Sequence, residues 1–149
     1  MERRPVAELV LWVLRVLTAA ALAVDAYVHA DEASAYDLVK KQVSQGTLFR
    51  AEAAAAGVAA LLVLVAGRRL VVWAFAFVVA AAGLAAVLVY RYIDVGTLGP
   101  FPNMYEPVWF GKKTASAIAE AVATVAALLG FLTAHRLRRA EARPVSRVD

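Results

Sequence analysis

Four apolar stretches dominate the chain, at about 6–28, 48–66, 70–90 and 115–134. Each is long enough to cross a hydrocarbon core of about 30 Å as a helix rising about 1.5 Å per residue. Lipid offers no partner to a backbone amide, and each stretch is too long and too evenly apolar for a barrel strand, so helices are expected. The fold class that follows is all-α: a polytopic membrane protein built as a bundle of four transmembrane helices. In 149 residues these spans leave no room for a second folded unit, so 1–149 reads as one membrane domain and a large soluble catalytic domain is excluded. The hydrophobic fraction of 62% supports this, since soluble domains hold roughly 45 to 50%.

Only Gly67, Arg68 and Arg69 separate the second and third spans, which predicts a tight helical hairpin with a basic turn. Such turns stay in the cytoplasm. Arginines at 3, 4, 68, 69, 136, 138, 139, 143 and 147 fall on that side, against Lys40, Lys41, Arg50, Arg91, Lys112 and Lys113 on the other. The excess places both termini inside, in a multi-pass protein of the plasma membrane. The basic start, apolar run and small residues at 19–23 also fit a secretory leader, but Arg15 interrupts the run and the first span is expected to be retained. The basic tail, 135–149, is suited to anionic headgroups, and no nucleic-acid partner is expected.

Two loops are left outside. Across 31–47, Tyr36, Val39 and Val43 share a helical face opposite Asp37, Lys40, Lys41 and Ser44, with Gly46 as a stop, which predicts a short interfacial helix. Prolines 100, 102 and 107 forbid a continuous helix across 91–113. The aromatics Tyr92, Phe101, Tyr105 and Trp109 predict a folded lid seated at the membrane interface, or a simple anchoring belt.

Ionisable groups inside spans are the informative residues, because each costs about 2.5 to 3.5 kcal/mol at a bilayer centre and is therefore aimed into the bundle. Asp25 and His29 stand four residues apart in the last turns of the first span, on one face. Glu52 lies about one turn into the second span and Glu120 about six residues into the fourth. All are at the outer depth. They are expected to converge beneath the lid, with Asp94 or Glu106 available from above.

Three carboxylates and an imidazole suit a divalent transition metal such as Mn, Fe, Zn or Cu, and helical bundles assemble such sites from facing helices. Two other readings stand beside this one. The same acids could pair with His29, Arg50, Arg91, Lys112 or Lys113 as a structural salt-bridge network, or a small organic ligand could sit under the lid. Small residues, Ala53, Gly57, Ala76, Ala80 and Gly83, are expected at helix contacts. Arg15 has no acid at its depth and is expected to snorkel to the inner headgroups or to meet a partner protein. The inner halves otherwise hold only threonines 18, 124 and 133, which argues against an ion pathway.

The chain has no cysteine, which excludes disulfides, thiolate ligands and a cysteine nucleophile. No Gly-rich phosphate loop, nucleophile elbow or His-Glu-x-x-His is present, so any catalysis would run through the outer cluster. In size, alanine and arginine richness and four-span plan, the chain resembles the small uncharacterised four-helix membrane proteins of actinobacteria, and it is similar in helix number to the DoxX-like group. The Asp25-x-x-x-His29 spacing resembles part of the Asp/His/His metal site in the membrane-embedded part of copper-dependent monooxygenases. Its third histidine has no counterpart, since His135 falls on the opposite side. The function expected is an outward-facing site for a divalent metal cation or a small ligand; the alternative is an accessory or assembly subunit of a larger membrane complex. The lipid bilayer is the expected partner, with a membrane-protein partner or a second copy of the chain beside it.

Overall fold

The computed structural model describes residues 3–142. The side chains of Arg3 and Arg4, and the arginines at 143 and 147, lie outside the described residues. Four helices run α1 Arg3–Glu32, α2 Gln45–Ala66, α3 Leu70–Tyr92 and α4 Gly111–Glu141, and all four are long and apolar enough to cross a membrane. Consecutive helices alternate in direction. α1 packs on α2 and α4, and α3 packs on α4 and, over the smallest of these interfaces, on α2, closing a four-membered ring. One end of the bundle carries the tight α2–α3 turn. The other carries both long loops and is here the loop end.

The residues that turn outward are large and apolar, among them Leu9, Val13, Leu61, Val65, Val71 and Val78. Many of those that turn inward are small, Ala56, Ala59, Ala60, Ala76, Ala80 and Ala123 among them, packed around a few large ones such as Trp73 and Leu22. The inversion suits lipid, where helix association relies on close van der Waals approach. Ala76, Ala80 and Gly83 are at helix contacts as expected. Gly57 is not. A Cβ built there meets nothing within 4 Å, because α2 turns Ala56, Ala59, Ala60 and Val63 to the core instead. Gly130 of α4 makes the close approach that Gly57 does not, since a Cβ there would collide with the fully buried Trp73 ring.

Arg15 also departs from expectation. It does not reach past the helix ends but lies half-buried against α2, donating from Nε to the Val63 carbonyl at 3.0 Å and from a terminal nitrogen to the Leu64 carbonyl. Its guanidinium lies 4.9 Å from the Trp12 ring. The last carbonyls of a helix lack intrahelical donors and carry partial negative charge, so a cation from a neighbouring helix is a stabilising cap. Trp73 adds to the same corner by donating from Nε1 to the Gly67 carbonyl at 2.6 Å. Arg68 pairs with Glu8 across the turn at 2.9 Å.

At the loop end, the interfacial helix expected over 31–47 does not form. α1 continues to Glu32, a single 3₁₀ turn covers Ala33–Tyr36, and the chain then bends through an isolated Lys40–Ser44 bridge. α2 starts too early for a separate helix to fit. Ser44, with extended backbone, caps it by accepting from the Thr47 amide at 3.0 Å. Gly46 therefore sits in the first turn of α2 rather than ending a helix, pressed against the Ala33 carbonyl and Asp37. Arg50 grips Asp37 with two hydrogen bonds of 2.7 and 2.8 Å and holds its carboxyl below the usual carboxylate range.

The 93–110 segment is a folded lid without helix. Asp94 gathers it by accepting from the Gly96 amide at 3.1 Å and from Asn103 Nδ2 at 2.9 Å. Gly96 and Gly99 take positive φ angles of 65° and 53°, which make the reversals possible. The Gln42 and Val43 amides donate to the Pro100 carbonyl at 3.1 and 3.2 Å, so the two loops are tied together. The Glu106 amide donates to the Tyr90 carbonyl at 3.0 Å, which fastens the lid to α3.

Candidate metal centre

In the loop-end half, Asp25 and His29 of α1 face Glu120 of α4. One ligand atom from each lies within 4.8 Å of the other two, and all three residues are buried. The i, i+4 spacing stacks the α1 pair: His29 Nδ1 is 3.0 Å from Asp25 Oδ1 and 3.1 Å from the Asp25 carbonyl oxygen. The His29 ring is held edge-on against Phe49 of α2, with centroids 5.1 Å apart. Ser116, one turn before Glu120, donates to Asp25 Oδ1 at 2.8 Å and fixes the α1–α4 register. Thr124, one turn after, donates to the Glu120 backbone carbonyl at 2.7 Å.

Asp25 accepts short hydrogen bonds on one carboxylate oxygen only, and Glu120 Oε1 has the Ser116 hydroxyl at 3.5 Å. Asp25 Oδ2 and Glu120 Oε2 are buried without a hydrogen-bond partner among the described residues, and so is Glu52 Oε1. A buried carboxylate left unpaired is costly, and such groups are normally paired or bound to a metal. The basic residues expected to pair with these acids are engaged elsewhere. Arg50 takes Asp37, and Lys112 takes Asp31 and Glu32, each at 2.6 Å. Lys113 donates to the Glu106 carbonyl oxygen. Arg91 lies over the rings of Tyr92 and Trp109, at 4.9 and 5.7 Å, forms no ion pair with these acids, and keeps a buried Nε without a hydrogen-bond partner among the described residues. His29 is the one cationic or potentially cationic partner at the cluster among the described residues.

Glu52 stands beside the three-residue group rather than within it. Its carboxylate and that of Glu120 both approach Gly83 of α3, where a Cβ would collide with Glu120. A cavity of about 250 Å³ opens above them toward the lid, with His29, Glu52, Gly83, Glu106, Lys113 and Ser116 among its lining residues. Of the two acids expected from above, Glu106 lines this cavity, while Asp94 is exposed and spent on the lid's own turn. His135 lies far along α4 toward the other end, stacked on Phe131 at 6.3 Å. Below the cluster the core is filled by Leu11, Leu14, Leu22, Val63 and Trp73.

Ser116 and Gly83 are parts of the site that the sequence reading did not place there, Gly83 having been expected only as a helix contact. Ser116 precedes Glu120 by four residues, which puts a hydroxyl on the same helix face. Gly83 carries no such signal beyond being the lone glycine of α3. Two carboxylates and an imidazole form a donor set for a borderline divalent metal, with room for further ligands on the cavity side. No family model, curated protein or solved structure matches the chain.

Proposed function

We propose that this chain is a multi-pass plasma-membrane protein, both termini cytoplasmic, that binds a divalent transition metal in the outward half of its bundle. Asp25, His29 and Glu120 are the ligands, and Glu52 stands next to them toward the cavity. The observation that carries this reading is the meeting of three buried ligand atoms within 4.8 Å, two of whose residues keep a carboxylate oxygen without a partner. Two carboxylates with a neutral imidazole bring two negative charges, which a divalent cation neutralises. The orientation rests on the arginines at 68, 69, 136, 138 and 139, which share the end of the bundle opposite the cluster.

Thermal unfolding of the full chain in detergent tests the reading. Stepwise addition of Mn, Fe(II), Zn or Cu to chelator-treated protein is expected to raise the melting temperature saturably for at least one of these ions, by about 2.7 kcal/mol of stability at a hundredfold excess over Kd. His29→Ala and Glu120→Gln are expected to abolish the response. A melting temperature that no ion moves in the parent would remove the metal from the proposal.

A further inference from the structure

The cavity over the cluster has a character of its own. Its walls are mainly apolar, with Phe49 of α2, Val87 of α3 and Met104 and Phe110 of the lid segment facing one another, and it is only partly enclosed. At about 250 Å³ it falls just below the roughly 300 to 1,000 Å³ of drug-sized pockets, so it suits a small molecule. Glu32 shares Lys112 with Asp31, Lys113 donates to the Glu106 backbone carbonyl, and the Glu106 carboxylate accepts from the Val108 amide at 3.2 Å. His29 is taken by Asp25. Glu52 is left over, with Oε1 buried and without a hydrogen-bond partner.

We infer that this cavity binds a small lipophilic organic monocation, a protonated amine on an apolar body, with the ammonium group on Glu52 and the body between Phe49, Val87, Met104 and Phe110. A charge-assisted hydrogen bond to the Glu52 carboxylate pairs an acid that no cation pairs among the described residues, and the apolar walls take the rest of the ligand out of water. The inference does not need the metal. With a divalent ion on Asp25, His29 and Glu120, Glu52 is the acid of the group left to the cavity.

The test uses the full chain in nanodiscs of zwitterionic lipid, with 2-phenylethylamine as probe and 2-phenylethanol and 3-phenylpropanoate as neutral and anionic controls. Binding is read by calorimetry in the parent, Glu52→Gln and Ala86→Phe. The last variant fills the cavity from an exposed position on α3. The amine is expected to bind at least about tenfold more tightly than the alcohol, with the carboxylate weakest. Glu52→Gln should reduce the amine to the alcohol's affinity, and Ala86→Phe should abolish saturable binding of both. Equal binding of amine and alcohol by the parent would overturn the inference, as would an amine preference that survives Glu52→Gln or amine binding that survives Ala86→Phe. Chelator treatment is expected to remove the metal response and leave amine binding in place, so the two sites fail separately.

Discussion

Gly130→Leu is expected to prevent the bundle from forming or to lower its melting temperature further than any substitution on the lipid-facing surface. Trp73 is fully buried, and its ring lies where the first carbon of any side chain at 130 would be. The ring cannot swing aside without breaking its 2.6 Å hydrogen bond to the Gly67 carbonyl, beside the carbonyls that Arg15 caps. Overpacking a well-packed core typically costs about 1 to 3 kcal/mol, and more when helices must separate. Gly57→Leu is the matched control, since its added side chain meets open space; it should fall within about 0.5 kcal/mol of the parent. Thermal unfolding of both variants in one detergent is the measurement. A Gly130→Leu protein that melts with the parent would mean that α3 and α4 do not meet at Trp73.

Replacing Glu120 by methionine is expected to move stability in opposite directions with and without metal. In chelator-treated protein, Glu120→Met removes a fully buried carboxylate that has one oxygen unpaired and puts an apolar side chain of similar length in its place. Removing a buried carboxylate that no cation pairs relieves its desolvation cost, so the variant should melt above the metal-free parent. With metal present the order should reverse or the gap close, because only the parent gains from binding. The pair of melting curves, each with and without the ion that stabilises the parent, separates a ligand from a structural acid. A variant less stable than the parent under both conditions would mark Glu120 as a network member whose partners need it.

The four-helix plan was legible because it needs only the lengths and apolarity of the spans, and the lid because its prolines forbid a helix. The meeting of Asp25, His29 and Glu120 was legible for a related reason: groups that lipid penalises are turned inward, and those at one depth have few places to go. What could not be read depended on partners from other helices. Arg15 looked unpaired because its acceptors are backbone carbonyls of α2, and carbonyls leave no mark in a sequence. Gly57 and Gly130 are both glycines in apolar helices, and only the rotation of each helix decides that one meets Trp73 and the other meets nothing. The interfacial helix failed for a local reason that was available. Ser44 and Thr47 form an N-cap pattern that starts α2 three residues before 48 and leaves too little chain for a helix of its own.

The metal content of the full chain, purified without chelator and measured by elemental analysis beside Asp25→Ala, His29→Ala and Glu120→Gln, tests the central claim most directly. The result expected is about one equivalent of a single divalent transition metal in the parent and a large loss in each variant, since every ligand contributes to one ion. No metal in the parent, before or after incubation with Mn, Fe(II), Zn or Cu, would contradict it, and so would variants that retain the parent's full complement.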